Sequence, residues 1–186
     1  VEQVILVDEH DREIGYEEKL RAHLTPQLHR AFSIFVTNSR GQMLMQRRAA
    51  DKYHSAGLWS NTCCGHPRPQ ESVSAAASRR LAEEMGFECP LLPACVLSYR
   101  VDVGAGLTEH ELNHVFVGSF EGEPRINREE VVDWRWMEGG ELLRMREAPA
   151  TLTPWFGVVL GDLVRWAASN EAALPNPISR ALRSWA

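Results

Sequence analysis

Residues Gly65 to Phe87, GHPRPQESVSAAASRRLAEEMGF, decide how the rest of the chain is read. From Glu71 to Met85 the run has an alanine-rich, helix-favouring centre. Val73, Ala77, Leu81 and Met85 recur at four-residue steps, the spacing of one helix face. Gly86 takes the left-handed backbone of a helix C-terminus at little cost and sets the stop. At about 100° per residue, Arg80 and Glu84 stand roughly 40° apart beside the apolar stripe, whereas Arg79 and Glu83 lie nearly opposite it. Arg80 and Glu84 therefore border the buried side. Arg79 and Glu83 form an ordinary solvated i,i+4 pair, worth about 0.3 kcal/mol. Taken alone, four such charges describe a salt-bridged surface helix.

Length and composition bound what surrounds this helix. With 186 residues and 44% hydrophobic content, the chain suits one globular domain, residues 1–186, with a substantial core. No window approaches about 20 uninterrupted apolar residues and the N-terminus lacks a signal-peptide pattern, so the expectation is a soluble cytoplasmic protein without a membrane partner. A net charge of −5 argues against a nucleic-acid partner, and an anionic substrate must then be captured by local positive charge. Four cysteines at this length do not make a secreted disulfide framework, so reduced thiols are expected. Oligomeric state leaves no signal, and a monomer is the default.

Around the helix the pattern is mostly strands. Val4 to Val7 and Ile14 to Tyr16 read as short strands about the turn at His10-Asp11. Leu28 to Val36 and Met43 to Gln46 read as a hairpin across Asn38-Ser39-Arg40-Gly41. Cys95 to Val103, Glu111 to Phe120 and Val132 to Trp136 follow as strands. Two helices close the chain, near Gly140 to Arg146 and from Thr153, with Pro154 in its first turn, to about Ala168. The tail from Pro175 to Ala186 packs as a short helix or lies loose. This order predicts an α/β or α+β sandwich around a mixed sheet flanked by helices.

The run from Gly65 to Phe87 resembles the Nudix box: Gly65, Glu71, Arg79, Leu81, Glu83, Glu84, Gly86 and Phe87 fall in its register, but Arg80 stands where Nudix hydrolases carry a metal-binding glutamate. A guanidinium cannot hold a cation and can hold a diphosphate oxygen. Trp59-Ser60-Asn61-Thr62, Cys64-Gly65-His66-Pro67, Arg47-Arg48 with Lys52, and Glu109-His110-Glu111 share the order and spacing of one branch. From Lys19 to Trp155 the chain resembles the type I isopentenyl-diphosphate delta-isomerases of the Nudix superfamily. The resemblance implies the Nudix fold and reversible interconversion of isopentenyl and dimethylallyl diphosphate, small homoallylic and allylic substrates.

Such a reaction adds a proton at one carbon and removes one from another through a state like a tertiary carbocation, which needs an acid and a base within reach of a small hydrocarbon. The resemblance assigns these roles to Cys64 and Glu111, with Tyr99 assisting the carboxylate; acid and base exchange with the direction of reaction. It also implies a zinc or manganese site of near-octahedral geometry at His23, His29, His66, Glu109 and Glu111. Imidazole with carboxylate oxygen suits those ions. Glu109 and Glu111, two apart in a strand, project from one face. Lys19, Arg48, Lys52 and Arg80 are implied to hold the diphosphate, with a Mg²⁺ bridging it to Glu84 and the Cys64 carbonyl. Trp155 is implied to offer its π face to the developing cation.

Neighbouring residues of the same types receive ordinary readings. Cys63, Cys89 and Cys95 are small buried hydrophobes, His10, His54, His110 and His114 are surface or hydrogen-bonded structural residues, and Trp59, Trp134, Trp136, Trp166 and Trp185 are packing residues. Arg47 is the neighbour most easily confused with Arg48. Two other functions compete. A Nudix hydrolase of nucleoside diphosphate derivatives would need the metal ligand that Arg80 removes and has no task for Cys64. A non-catalytic, metal-stabilised Nudix binding module has no task for Cys64, Glu111 and Tyr99 together.

Overall fold

The computed structural model of the chain describes residues 1–171 and 174–185. In chain order they form β1 (Gln3–Val7), β2 (Glu13–Glu18), α1 (Lys19–Leu24), β3 (His29–Thr37), β4 (Met43–Arg48), β5 (Trp59–Ser60), β6 (Cys63–Gly65) and α2 (Val73–Met85). Then follow β7 (Leu91–Gly104), β8 (Leu107–Ser119), β9 (Val131–Met137), α3 (Gly139–Glu147), a single 3₁₀ turn, α4 (Phe156–Asn170) and α5 (Asn176–Ser184).

β3 is the organising strand. It runs parallel to β8 along its whole length, from His29 opposite Glu111 to Thr37 opposite Ser119, and antiparallel to β6 on its other edge. β8 continues into a long antiparallel hairpin with β7. With both edges taken, β3 meets β4 only at Thr37 and Met43. The expected hairpin across Asn38–Gly41 is therefore a corner. β4 leaves it to pair with β9 and β5, which divides the mixed sheet into the two leaves of a sandwich.

Alternation along β3 assigns each leaf its filling. Phe32, Ile34 and Val36 point toward Leu81 and Met85 of α2, while Phe35 packs with Met43, Phe156 and Leu160 beneath α4 and α5. Being covered on both faces, the strand is buried almost without interruption. The odd positions nearer its start, His29 and Ser33, are polar and buried. They mark where the core gives way to a site.

The helix of the opening motif begins at Val73, because Ser72 caps it by accepting from the Ala75 N–H, a device worth about 1 kcal/mol. Gly86 ends it at φ 70°, and a Cβ there would sit 2.2 Å from the Arg125 carbonyl oxygen. Gly65 is required by approach: a Cβ would come within 2.9 Å of Phe32 and 3.5 Å of Arg80. That absence lets α2 lie close against the end of β6.

Elsewhere the elements depart from expectation at their ends. The last long helix starts at Phe156 and not at Thr153, leaving Pro154 in the preceding turn. Thr153 is tied instead to β5, its N–H donating to the Trp59 carbonyl and its hydroxyl 3.0 Å from that of Ser60. Lys19–Leu24 is helical, which the sequence did not announce. The tail is helical, with Ile178, Ala181, Leu182 and Trp185 buried; Ala186 lies outside the described residues. No described helix is long and apolar enough to cross a membrane.

Candidate active site and metal centre

Strand register builds the floor of the site. His29 of β3 lies opposite Glu111 of β8, which lies opposite Tyr99 of β7, so three side chains leave the same face. Glu109 stands on that face one step along. Across β3, Ser33 is paired with Cys64 of β6. His23 reaches in from α1 and His66 from the turn after β6. A cavity of about 540 Å³ opens over this floor, lined by Cys64, His66, Tyr99, Glu109 and Glu111. Its remaining wall includes Lys19, Arg48, Lys52, Arg80, Glu84 and Trp155, so every expected substrate contact borders one space. His23 and His29 lie just behind, fully buried.

Carbonyl partners fix the tautomers of two of the imidazoles. Nδ1 of His23 lies 2.6 Å from the Lys19 oxygen and Nδ1 of His29 lies 2.8 Å from the Gln27 oxygen. A carbonyl only accepts, so each ring carries its hydrogen on Nδ1 and turns the Nε2 lone pair inward. Those lone pairs converge. Nε2 of His23 is 2.8 Å and Nε2 of His29 is 3.8 Å from Glu109 Oε2, while Nε2 of His66 is 3.2 Å from that of His29 and 3.1 Å from Glu111 Oε1. One donor atom each from His23, His29, His66 and Glu109 falls within 4.8 Å of the others. Among the described residues, Glu109 Oε2 and His66 Nδ1 are buried without a hydrogen-bond partner. Buried acceptors facing acceptors repel one another unless a cation lies among them, and this nitrogen and oxygen set fits a divalent ion.

Without such an ion the cage has a tense proton balance. Burial, reinforced by the charge of His66, brings His29 down to about 4, and burial with the charge of Lys19 brings His66 to about 3. For Glu109, burial acts upward but is outweighed by contacts from His23 and His54, which hold the carboxyl well below its usual range. His23 moves the other way: burial lowers it, and Glu109 more than compensates. Burial and the charge of Glu109 push Glu111 up to about 7.

Glu111 and Cys64 are each held by neutral partners. Oε2 of Glu111 accepts from the Tyr99 hydroxyl at 2.5 Å and from the Asn113 amide at 2.8 Å. The Asn61 amide donates to the Ile34 and Cys63 carbonyls, which leaves its Oδ1 to accept from the Cys64 thiol at 3.1 Å. Burial pushes that thiol up to about 11. Both groups can therefore carry a proton near neutral pH.

On the opposite wall, each cation already has a carboxylate or an aromatic neighbour. Arg80 donates to Glu83 at 2.8 Å, to Glu84, and approaches Glu130 within 3.2 Å. Lys52 pairs with Glu130, Lys19 with Glu2 at 3.2 Å, and the Arg48 guanidinium lies 5.3 Å from the centre of the Trp155 ring. Glu84 is buried and accepts from Gln46 at 2.9 Å. Arg79 departs from the simple surface pair: besides Glu83 it binds Glu71 with two nitrogens, at 2.7 and 2.8 Å.

The sequence reading missed several residues of the site. His54 is hydrogen-bonding, as expected, but it is buried and its Nε2 lies 3.1 Å from Glu109 Oε1. Tyr53, beside it, sets its hydroxyl 3.5 Å from His23 Nε2. Glu130, Asn113 and Gln46 carried no signal beyond their polarity, and Asn61 stood in the Trp59–Thr62 motif without an assigned role. Adjacency to Lys52 was the one available pointer to Tyr53 and His54. His10 is exposed, while His110 and His114 make hydrogen bonds remote from the cage, as expected.

Comparison with known proteins accords with this geometry. A NUDIX domain profile matches residues 27–156. The chain is 51% identical over 172 residues to the isopentenyl-diphosphate Delta-isomerase of Burkholderia multivorans, covering 89% of this chain and 98% of that one. It is 49% identical over 172 residues to isopentenyl-diphosphate Delta-isomerase 2 of Aromatoleum aromaticum, covering 92% and 91%. A solved Deinococcus radiodurans structure superposes with a TM-score of 0.72 at 17% identity, over 87% of this chain and 99% of its own. A MutT protein from Methanosarcina mazei gives 0.60 at 20% identity, over 77% and 96%. These distant structures speak for the fold alone. With the profile spanning most of the chain and relatives near half identity nearly end to end, the chain belongs to the isopentenyl-diphosphate Delta-isomerase family of NUDIX-domain proteins.

Proposed function

We propose that the protein interconverts isopentenyl diphosphate and dimethylallyl diphosphate, with Cys64 and Glu111 exchanging the two protons. One observation carries the reading: a thiol and a carboxyl with neutral hydrogen-bond partners line a single cavity whose opposite wall is basic. In one direction the terminal alkene carbon gains a proton from one of the pair, positive charge develops on the tertiary carbon, and the adjacent CH₂ gives a proton to the other. The reverse direction exchanges the roles. Tyr99 holds Glu111 in place and Asn61 holds Cys64. Trp155 supplies a π face to the developing charge; a desolvated contact of about 2 kcal/mol corresponds to roughly thirtyfold in rate.

Lys19, Lys52 and Arg80 bind the diphosphate by exchanging protein carboxylates for phosphate oxygens, and Arg48 joins them from beside Trp155. His23, His29, His66, Glu109 and Glu111 would hold one Zn²⁺ or Mn²⁺, and Glu84 with the Cys64 carbonyl a Mg²⁺ recruited with the substrate. A divalent ion beside Glu111 supplies positive charge that lowers its pKa and fixes its orientation.

Turnover in deuterated water tests the pair. Wild type is expected to place solvent deuterium in the allylic product, and Cys64→Ala and Glu111→Gln each to lower the rate by about 10³-fold. A Cys64→Ala protein with wild-type turnover overturns the assignment. Release of inorganic phosphate or a nucleoside monophosphate without allylic product would point to hydrolysis.

A further inference from the structure

Four imidazoles, not three, stand around Glu109, and the fourth is set differently. Its side chain is 3% exposed. Nδ1 of His54 lies 3.3 Å from the Ser55 hydroxyl, which can donate to it, and Nε2 lies 3.1 Å from Glu109 Oε1. A lone pair on Nε2 would face a carboxylate lone pair, so the favourable tautomer carries its hydrogen on Nε2, with Ser55 donating to Nδ1. That is the reverse of His23 and His29, whose Nδ1 hydrogens are committed to carbonyls. His54 also addresses the other oxygen: Oε2 faces His23 and His29, whereas Oε1 faces His54. It is not among the side chains whose donor atoms converge.

The backbone is bent to bring it there. Ser55 has φ 50° and Gly57 φ 71°, a left-handed turn that is unfavourable for the non-glycine Ser55, and Arg48 donates to the His54 carbonyl at 3.3 Å. The ring meets Trp155 edge-on, with centroids 5.8 Å apart.

We infer that His54 is a positioning residue for the metal centre: its Nε2 hydrogen engages Glu109 Oε1 and turns Oε2 toward the converging imidazoles. Resting on the metal-centre reading above, it assigns the ring to the carboxylate and not to the ion. Partners of this kind typically alter metal affinity by 10- to 100-fold.

Zinc affinity by competition with a chromophoric chelator, and the absorption spectrum of cobalt-loaded protein, test it without reference to turnover. In His54→Ala zinc affinity is expected to fall about 10- to 100-fold, while the saturated cobalt spectrum keeps wild-type band positions and intensities. His54→Gln, whose amide can donate to the same oxygen, is expected to recover part of the loss. Unchanged zinc affinity in His54→Ala overturns the inference. So does an altered cobalt spectrum, which would make His54 a direct ligand, and so does a glutamine variant no better than alanine, which would leave only packing. If wild type binds neither zinc nor cobalt, the metal-centre reading itself fails, a result distinct from these three.

Discussion

The two walls of the cavity handle charge in opposite ways. On the basic wall, Arg80, Lys52 and Lys19 already sit against Glu83, Glu84, Glu130 and Glu2, at the edge of solvent. In the imidazole cage the groups are buried, and Nε2 of His29 meets Nε2 of His66 at 3.2 Å, acceptor to acceptor when both rings are neutral. The first wall is content without a ligand and needs only to swap one anion for another. The second is frustrated without a cation. An incoming diphosphate should therefore affect catalysis more than stability, and a metal ion should affect both.

Metal removal probes this contrast with the largest effect. Stripping the protein with a chelator should abolish isomerase activity. If metal had been held about 10³-fold above its Kd, the lost linkage is about 4 kcal/mol. For a chain of this size that is a fall of about 10 °C in melting temperature by calorimetry. Equal melting temperatures with and without metal would erase the difference between the walls.

Arg80→Met comes next. If Arg80 binds the diphosphate as proposed, the change removes charged hydrogen bonds of about 1.5–3 kcal/mol, so KM should rise ten- to a hundredfold in steady-state assays. The shift in melting temperature should be smaller than that caused by metal removal. An unchanged KM would mean that Arg80 serves the helix and not the substrate.

The smallest effect is the pH dependence of the metal-free protein. His29 and His66, at about 4 and 3, lie below the value near 6.5 of an unfolded histidine. Their contribution is complete above pH 6.5 and is lost as pH falls toward those values. Glu111, raised to about 7, acts oppositely, contributing below about 4.5 and losing that contribution as pH rises through 7. His23, raised, and His54, lowered, also oppose each other. Two histidines against one carboxyl leave the melting temperature a few degrees lower at pH 4.5 than at 6.5, and the drop should steepen in Glu111→Gln. A flat profile would show that the cage is not strained.

What could be read beforehand was whatever regular geometry carries. Helical arithmetic placed Arg80 and Glu84 beside the stripe, and Glu84 is indeed buried in contact with Arg80. A period of two put Glu109 and Glu111 on one face, and pairing with β3 delivered them to His29. Irregular backbone hid the rest. Tyr53 and His54 line the cavity beside a left-handed turn at Ser55, which no propensity announces for serine. The corner after Thr37 could not be told from a hairpin, since the competition of β6 and β8 for the edges of β3 is settled only by distant segments.

That same pairing of β3 with β8 bears on how the molecule is made. The cage draws His23 and His29 from near the start of the chain and Glu109 and Glu111 from well beyond its middle, so it cannot exist until a long loop has closed. During synthesis an ion meets only scattered ligands until β8 has emerged and docked. A metal captured there arrives after the slow search is over, so it lengthens the lifetime of the native state far more than it hastens its birth.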